Sequence, residues 1–353
     1  MKTAYALPDF ANEWLMRSDR QVVLAVDSHT GGNPTRIVLS GIDLPADIAT
    51  VDATRAWLRD NADHWRRRLV HEPRGGGLTC AVLPVETKED GCDIGAVILE
   101  PGSYPPMCGH CMIGFASVII ELELLPRLWA ASANETRFSI RTPAGPVGVT
   151  ARKDAGRFST ITLTNVESFV VRADECQIDG RVMLVELLYG GDYYISVDAD
   201  SIGLSLDRDN ATEIVRLARQ LKAAYTQGGV RDPISDELLD VYQVLFYRRD
   251  PGTNALAKIV VVAPPGVIDR SPCGTGTSAL FAKFVTEGAI EPHDVLTTES
   301  IIGSTFTVTA EKVRDTKDRR YVTPLLTGRA YINGFLTIAA DSEDVLADGF
   351  APL

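Results

Sequence analysis

Two stretches of this chain follow the same itinerary, and that repetition limits its possible folds more than any other feature. In the first, Ala96-Val97-Ile98-Leu99 leads through Pro101-Gly102 to Pro106-Met107-Cys108-Gly109-His110. In the second, Ile259 to Val262 leads through Pro265-Gly266 to Ser271-Pro272-Cys273-Gly274-Thr275. Each reads as a buried strand, a Pro/Gly bend, a Cys-Gly pair and a helix that starts at once. A repeated supersecondary unit points to a duplicated domain with a pseudo-twofold axis, which would bring the two Cys-Gly turns face to face.

The surrounding pattern fits two domains. A length of 353 residues, 45% hydrophobic and 23% charged, suits a globular chain with a sizeable core rather than a disulfide-stapled module or a disordered one. VVLAV and RIVL near the start read as strands around a Gly31-Gly32-Asn33-Pro34 turn, and Leu58, Ala62, Trp65 and Leu69 give Ala53 to Leu69 helical spacing. Arg66, Arg67 and Arg68 within it read as a solvated face. LLYGGDYYISVDA predicts strand, turn, strand; TEIVRLARQLKAAYTQG an amphipathic helix; VYQVLFYRR and AKIVVVA strands; SALFAKFVTEG a helix. Strands and helices mixed in this way predict an α+β, or mixed α/β, architecture with too few strict βαβ crossovers for a simple parallel sheet. The expected division is residues 1–160 plus 336–353 around Cys108, and 161–335 around Cys273.

Charge and hydropathy exclude several classes of partner. A net charge of −12 repels phosphate backbones and anionic headgroups, so neither nucleic acid nor a membrane surface is expected as a partner. No run reaches the roughly 18 apolar residues that span a bilayer. The start, MKTAYALPDFANEWLMR, lacks a continuous apolar signal segment, so a cytoplasmic protein with reduced thiols is expected.

A cysteine immediately before a helix sits where free N–H groups and the helix dipole favour negative charge, which stabilises its thiolate. Cys108 and Cys273 share that setting. The glycine after each leaves room for a ligand, and the N–H groups of Gly109, His110, Gly274 and Thr275 are placed to hold a carboxylate. Two thiols on opposite sides of one small carboxylic acid imply proton removal from one face of a carbon and delivery to the other, as in a racemase or epimerase.

Competing readings of the same residues are weaker. Cys108-Gly109-His110-Cys111 is a C-x-x-C, but Met107 replaces the usual Trp and no thioredoxin pattern flanks it, so a redox protein is a distant alternative. Cys108, His110 and Cys111 are zinc-ligand types without a second C-x-x-C or H-x₃-H to complete a tetrahedral set, so no metal is expected. Gly274-Thr275-Gly276-Thr277-Ser278-Ala279 resembles a dinucleotide loop, yet Asp269-Arg270-Ser271-Pro272 separates it from its strand, and no cofactor is expected. A non-catalytic amino-acid-binding module is a third class.

The chain resembles the proline racemase superfamily, which includes 4-hydroxyproline 2-epimerases and trans-3-hydroxyproline dehydratases. The resemblance rests on Asp27-Ser-His29-Thr30-Gly31-Gly32-Asn-Pro34-Thr-Arg36, Glu72-Pro73-Arg74-Gly75, Met107-Cys108-Gly109-His110 and Gly190-Gly191-Asp192-Tyr193-Tyr194. It continues through Asp269-Arg270-Ser271-Pro272-Cys273-Gly274-Thr275-Gly276-Thr277 to the closing GRAYINGF and DGF. It implies a diaminopimelate-epimerase-like fold of two pseudo-symmetric domains, a site in the cleft between them, no cofactor, and usually a homodimer. Cys108 and Cys273 match the paired acid/base residues, the four N–H groups the carboxylate cradle, and Asp269 and His110 contacts to the ring nitrogen. The dehydratases carry threonine where this chain has Cys273, which favours isomerisation. Proline racemases carry a bulky Phe where this chain has Ala263, which favours 4-hydroxyproline over proline as the small imino-acid substrate. Cys111, Gly76 and Val267 depart from the usual residues, and His29, Asp27 and Arg36 are expected to shape the first hairpin rather than touch substrate.

Overall fold

The computed structural model describes residues 13–351 apart from 18, 88, 126–127, 129–133, 155–156 and 251–254. Strand Arg20–Thr30 turns through Gly31 and Gly32, at φ 57° and 93°, into strand Asn33–Ser40. Two positive-φ residues in a two-residue loop match the twist of the flanking strands, and glycine adopts them without steric cost. The turn is tighter than its sequence predicts, because Asn33 and Pro34 already lie in the second strand opposite Thr30 and His29.

The helical spacing from Ala53 to Leu69 is realised as two helices, Val51–Asn61 and Asp63–Val70. Thr50 caps the first by accepting from the Ala53 N–H. The break falls at Ala62, φ −140°, yet Leu58, Ala62, Trp65 and Leu69 are all buried. The basic run has structural partners: Arg66 and Arg67 pair with Asp63, Arg68 with Asp348, and Arg66 also donates to the carbonyls of Glu100 and Pro101.

The two halves repeat one strand order. In the first, strand Ala330–Asp341 is followed across the sheet by Arg20–Thr30, Asn33–Ser40, Cys80–Val85, Ile94–Leu99, Glu135–Thr142, Gly145–Asp154 and Arg157–Thr164. In the second, Phe169–Ile178 is followed by Arg181–Tyr189, Tyr193–Asp198, Gln243–Arg249, Leu256–Ala263, Leu296–Glu299, Thr305–Asp315 and Arg320–Gly328. In both series the third pairing and the fifth are parallel and the rest antiparallel. The last strands of the two series pair antiparallel, Leu163 opposite Leu326, which joins the halves about a pseudo-twofold axis.

One helix runs through the interior of each half. Gly109–Glu121 is buried from Gly109 to Ile120, and Gly274–Thr286 from Gly274 to Val285. A helix that is apolar on all sides belongs inside a core rather than on a surface. Both pack in one hydrophobic cluster that also holds Cys108 and Cys273. The outer face of the first half is covered by the Val51–Val70 helices, and that of the second by Ala211–Tyr225, which buries Ile214, Leu217, Ala218 and Leu221. Among the described residues no helix is long and apolar enough to cross a membrane.

Candidate active site

The inner helices meet tip to tip. A Cβ built on Gly109 would lie 2.6 Å from the Gly274 Cα, and one built on Gly274 would lie 2.7 Å from the Gly109 Cα. Only glycine permits that approach at either position. Cys108 and Cys273 stand one residue ahead of these glycines, and both line a single cleft. The other residues expected to touch substrate, Gly109, His110, Asp269, Gly274 and Thr275, line the same cleft. The first N–H groups of each helix have no partner within it. The Cys111 and Gly276 N–H groups turn to the sulfurs of Cys108 and Cys273. Among the described residues no acceptor is seen for the N–H groups of Gly109, His110, Gly274 and Thr275.

The two sulfurs have different surroundings. Cys108 Sγ lies 3.2 Å from His110 Nδ1. Burial alone would push this thiol up, but hydrogen bonding from Cys111 and the charge on His110 outweigh it and hold Cys108 well below the ordinary thiol range. Burial likewise opposes charge on His110, and the neighbouring sulfur anions raise its pKa well above the usual value. The opposite shifts favour a thiolate on Cys108 and a proton on His110. Cys273 Sγ lies 3.3 Å from the Tyr194 hydroxyl, which is also 2.5 Å from Thr275 Oγ1. Burial and then the Asp269 carboxylate push the Cys273 thiol far up, so it stays protonated. Its backbone is at φ 57°, a left-handed conformation that costs a non-glycine residue energy and that recurs at functional sites.

Asp269 is positioned by the turn that carries Cys273. Its Oδ1 accepts from the Ser271 N–H at 2.8 Å and the Ser271 hydroxyl at 2.9 Å, while Ser271 Oγ accepts from the Cys273 N–H at 3.1 Å. On the opposite side Thr30 Oγ1 donates to the His110 carbonyl at 2.9 Å, and Asn33 Nδ2 lies 3.3 Å from His110 Nε2. Asn33 also accepts from the Arg270 N–H at 3.3 Å, so one side chain links the two cysteine turns.

Tyr194, Cys80, Glu100, Asn33 and Gln243 line the cleft as well, and sequence reasoning assigned none of them to the site. The Gly190 to Tyr194 run and Asn33 fall in motifs the sequence did single out; Cys80 and Glu100 carried no signal. Of the three departures from the usual family residues, Val267 lines the cleft, Cys111 lies behind His110 at 3.4 Å, and Gly76 is outside the lining. Asp27, His29 and Arg36 are also outside the lining. Arg36 pairs with Asp27 at 2.9 Å and donates to the carbonyls of Leu69 and Arg74, and His29 stacks on Tyr331.

Residues 25–351 match the family model described as proline racemase. The chain belongs to the proline racemase family. It is 32% identical over 340 residues to a 4-hydroxyproline 2-epimerase of Streptosporangium roseum, covering 95% of this chain and 99% of that one. It is 30% identical to a trans-3-hydroxy-L-proline dehydratase of Bacillus thuringiensis subsp. konkukian, covering 94% and 98%. A crystal structure of a hydroxyproline epimerase from Agrobacterium vitis with bound trans-4-hydroxy-L-proline superposes with a TM-score of 0.84 at 30% identity, covering 94% of this chain and 96% of that one. The family match, with its racemase and epimerase members, makes the protein an amino-acid racemase or epimerase. Its fold is the α+β, two-part, diaminopimelate-epimerase-like arrangement with the site between the halves.

Proposed function

We propose that the protein is a 2-epimerase of 4-hydroxyproline that moves a proton between the two faces of Cα with Cys108 and Cys273. The observation that carries this reading is the shared cleft, in which the two cysteines head pseudo-equivalent helices whose tips touch. The substrate carboxylate lies against the N–H groups of Gly109, His110, Gly274 and Thr275, and the Asp269 carboxylate accepts a charge-assisted hydrogen bond from the ring ammonium. The Cys108 thiolate removes the α-proton on its side. The charge that builds on the substrate carboxylate is met by two helix N-termini. Cys273 then delivers its own proton to the opposite face, and the roles are reversed for the other stereoisomer. Base, acid and cradle all come from the chain, so the reaction calls for no cofactor.

The substrate assignment rests on the wall. Ala263, Val267, Gly77 and Leu78 are small or aliphatic lining residues, and Glu100 and Gln243 add polar groups among them. Burial, then the Cys80 and Cys108 sulfur anions, raise the Glu100 carboxyl well above its usual range. A carboxyl group held toward its neutral form can donate to a ring hydroxyl that proline lacks.

The test is incubation in D₂O with trans-4-hydroxy-L-proline, L-proline and trans-3-hydroxy-L-proline separately, following the α-proton by NMR together with optical rotation. Exchange with inversion fastest on 4-hydroxyproline is the expected result. Inversion fastest on proline would move the assignment to proline racemase, and an olefin or imine product from 3-hydroxyproline would refute it in favour of dehydration.

A further inference from the structure

The strand Cys80–Val85 delivers Cys80 to the first turn of the Cys108 helix. There one ligand atom from each of Cys80, His110 and Cys111 lies within 4.8 Å of the others. All three residues are buried, with 5%, 4% and 0% of their surface exposed. Cys111 Sγ and His110 Nε2 are 3.4 Å apart. Two ligands of one tetrahedral zinc ion stand about 3.5 Å apart, given Zn–S near 2.3 Å and Zn–N near 2.0 Å. On the cleft side Glu100 Oε1 is 3.9 Å from Cys80 Sγ, and Cys108 Sγ is 3.9 Å from His110 Nε2. A carboxylate or a third sulfur is therefore at hand for a fourth position. Two sulfurs and an imidazole select thiophilic ions over Mg²⁺ or Ca²⁺. The proton transfers at Cα assign no bond-making step to Cys80 or Cys111.

We propose that Cys80, His110 and Cys111 form a capture site for Zn²⁺, or a cation of the same thiophilic class, whose occupation stops turnover. Binding forms two metal–sulfur bonds and one metal–nitrogen bond, and any protons held by the three ligand atoms leave for solvent. The bound cation takes the His110 imidazole that faces Cys108 and leaves the Cys108 sulfur, 3.9 Å from His110 Nε2, within reach of the fourth position, where it no longer serves as base. The loss of turnover rests on the isomerase reading; the capture of the cation does not.

Reduced protein freed of metal by a chelator is titrated with Zn²⁺ against a chromophoric zinc indicator, and separately with Co²⁺. One equivalent should bind with release of protons, and the cobalt form should show thiolate-to-metal charge transfer. Cys80→Ala and Cys111→Ala should each weaken zinc binding by about 100-fold or more, a loss beyond that of an outer hydrogen-bond partner. Cys108→Ala should retain zinc while losing isomerisation. Binding below one equivalent, or an affinity that neither ligand substitution changes, overturns the proposal. Circular dichroism checks that the variants fold; should neither do so, absence of the cobalt charge-transfer band in the unaltered protein is decisive against it. Turnover that persists at saturating zinc refutes the switching role, whereas stoichiometric zinc binding in a protein that isomerises none of the imino acids leaves the site standing and removes the proposed function instead.

Discussion

Cys108 and Cys273 occupy equivalent turns in unequal company, an imidazole at 3.2 Å for one and a phenol at 3.3 Å for the other. That difference predicts separable half-reactions. In Cys273→Ser, Cys108 should still exchange the α-proton of one stereoisomer with D₂O, but without inversion, while epimerisation falls by about 10²- to 10⁴-fold. Cys108→Ser should lose exchange from that stereoisomer. NMR of each stereoisomer incubated alone reads both outcomes, and full-rate inversion in the double variant would remove the cysteines from the mechanism. Asp269→Asn should lose a charge-assisted hydrogen bond of about 1.5–3 kcal/mol, roughly a 10- to 100-fold drop in kcat/KM. The seven residues named from sequence share a cleft because each lies within four residues of a Cys-Gly pair, where local geometry is readable. Tyr194 and Cys80 reach the site through the pairing of strands distant in sequence, which residue spacing does not encode.

At the scale of the element, the Gly109–Gly274 contact predicts that backbone proximity governs activity. Gly109→Ala or Gly274→Ala sets a methyl 2.6–2.7 Å from the opposing Cα. Each should separate the helix tips, costing about 1–3 kcal/mol of stability by overpacking and a larger factor in kcat/KM. Gly76→Ala is the control, since nothing lies within 4 Å of a Cβ there. Thermal melts and steady-state rates on the three variants test this, and equal effects at all three positions would count against it. Both inner helices were legible in outline because a Pro/Gly bend precedes each. The break at Ala62 was not, because the apolar stripe runs through it and burial at Ala62 and Trp65 is the same with or without a kink.

Across the whole molecule, duplication was visible as two matching itineraries, and the structure extends it to eight matching strands in each half. The parallel pairings could not be read, because they join strands separated by helices or long loops. One buried acid affects stability throughout. Asp192 accepts from the Tyr193 N–H, the Tyr242 hydroxyl and Gln243 Nε2. Burial nevertheless outweighs these donors and pushes its pKa up to about 7 from 3.8. The folded state then holds this proton more tightly than the unfolded chain, so its stabilising share is complete below pH ~4 and is lost as pH rises toward ~7. Melts of wild type and Asp192→Asn between pH 4.5 and 8 should diverge with a slope of at most about 1.4 kcal/mol per pH unit, the wild type losing ground as pH rises. Parallel profiles would place the ionisation elsewhere.

The glycine-to-glycine contact also bears on how such a scaffold can diversify. Because two main chains abut there, repacking of the surrounding side chains cannot change how closely the two Cys-Gly turns approach. On the proposed reading the spacing of the two turns is therefore held, while Ala263, Val267 and Glu100 along the wall are free to vary. Among isomerases of this scaffold a change of substrate should come from the wall that admits the ring, with the approach of the two turns inherited unaltered.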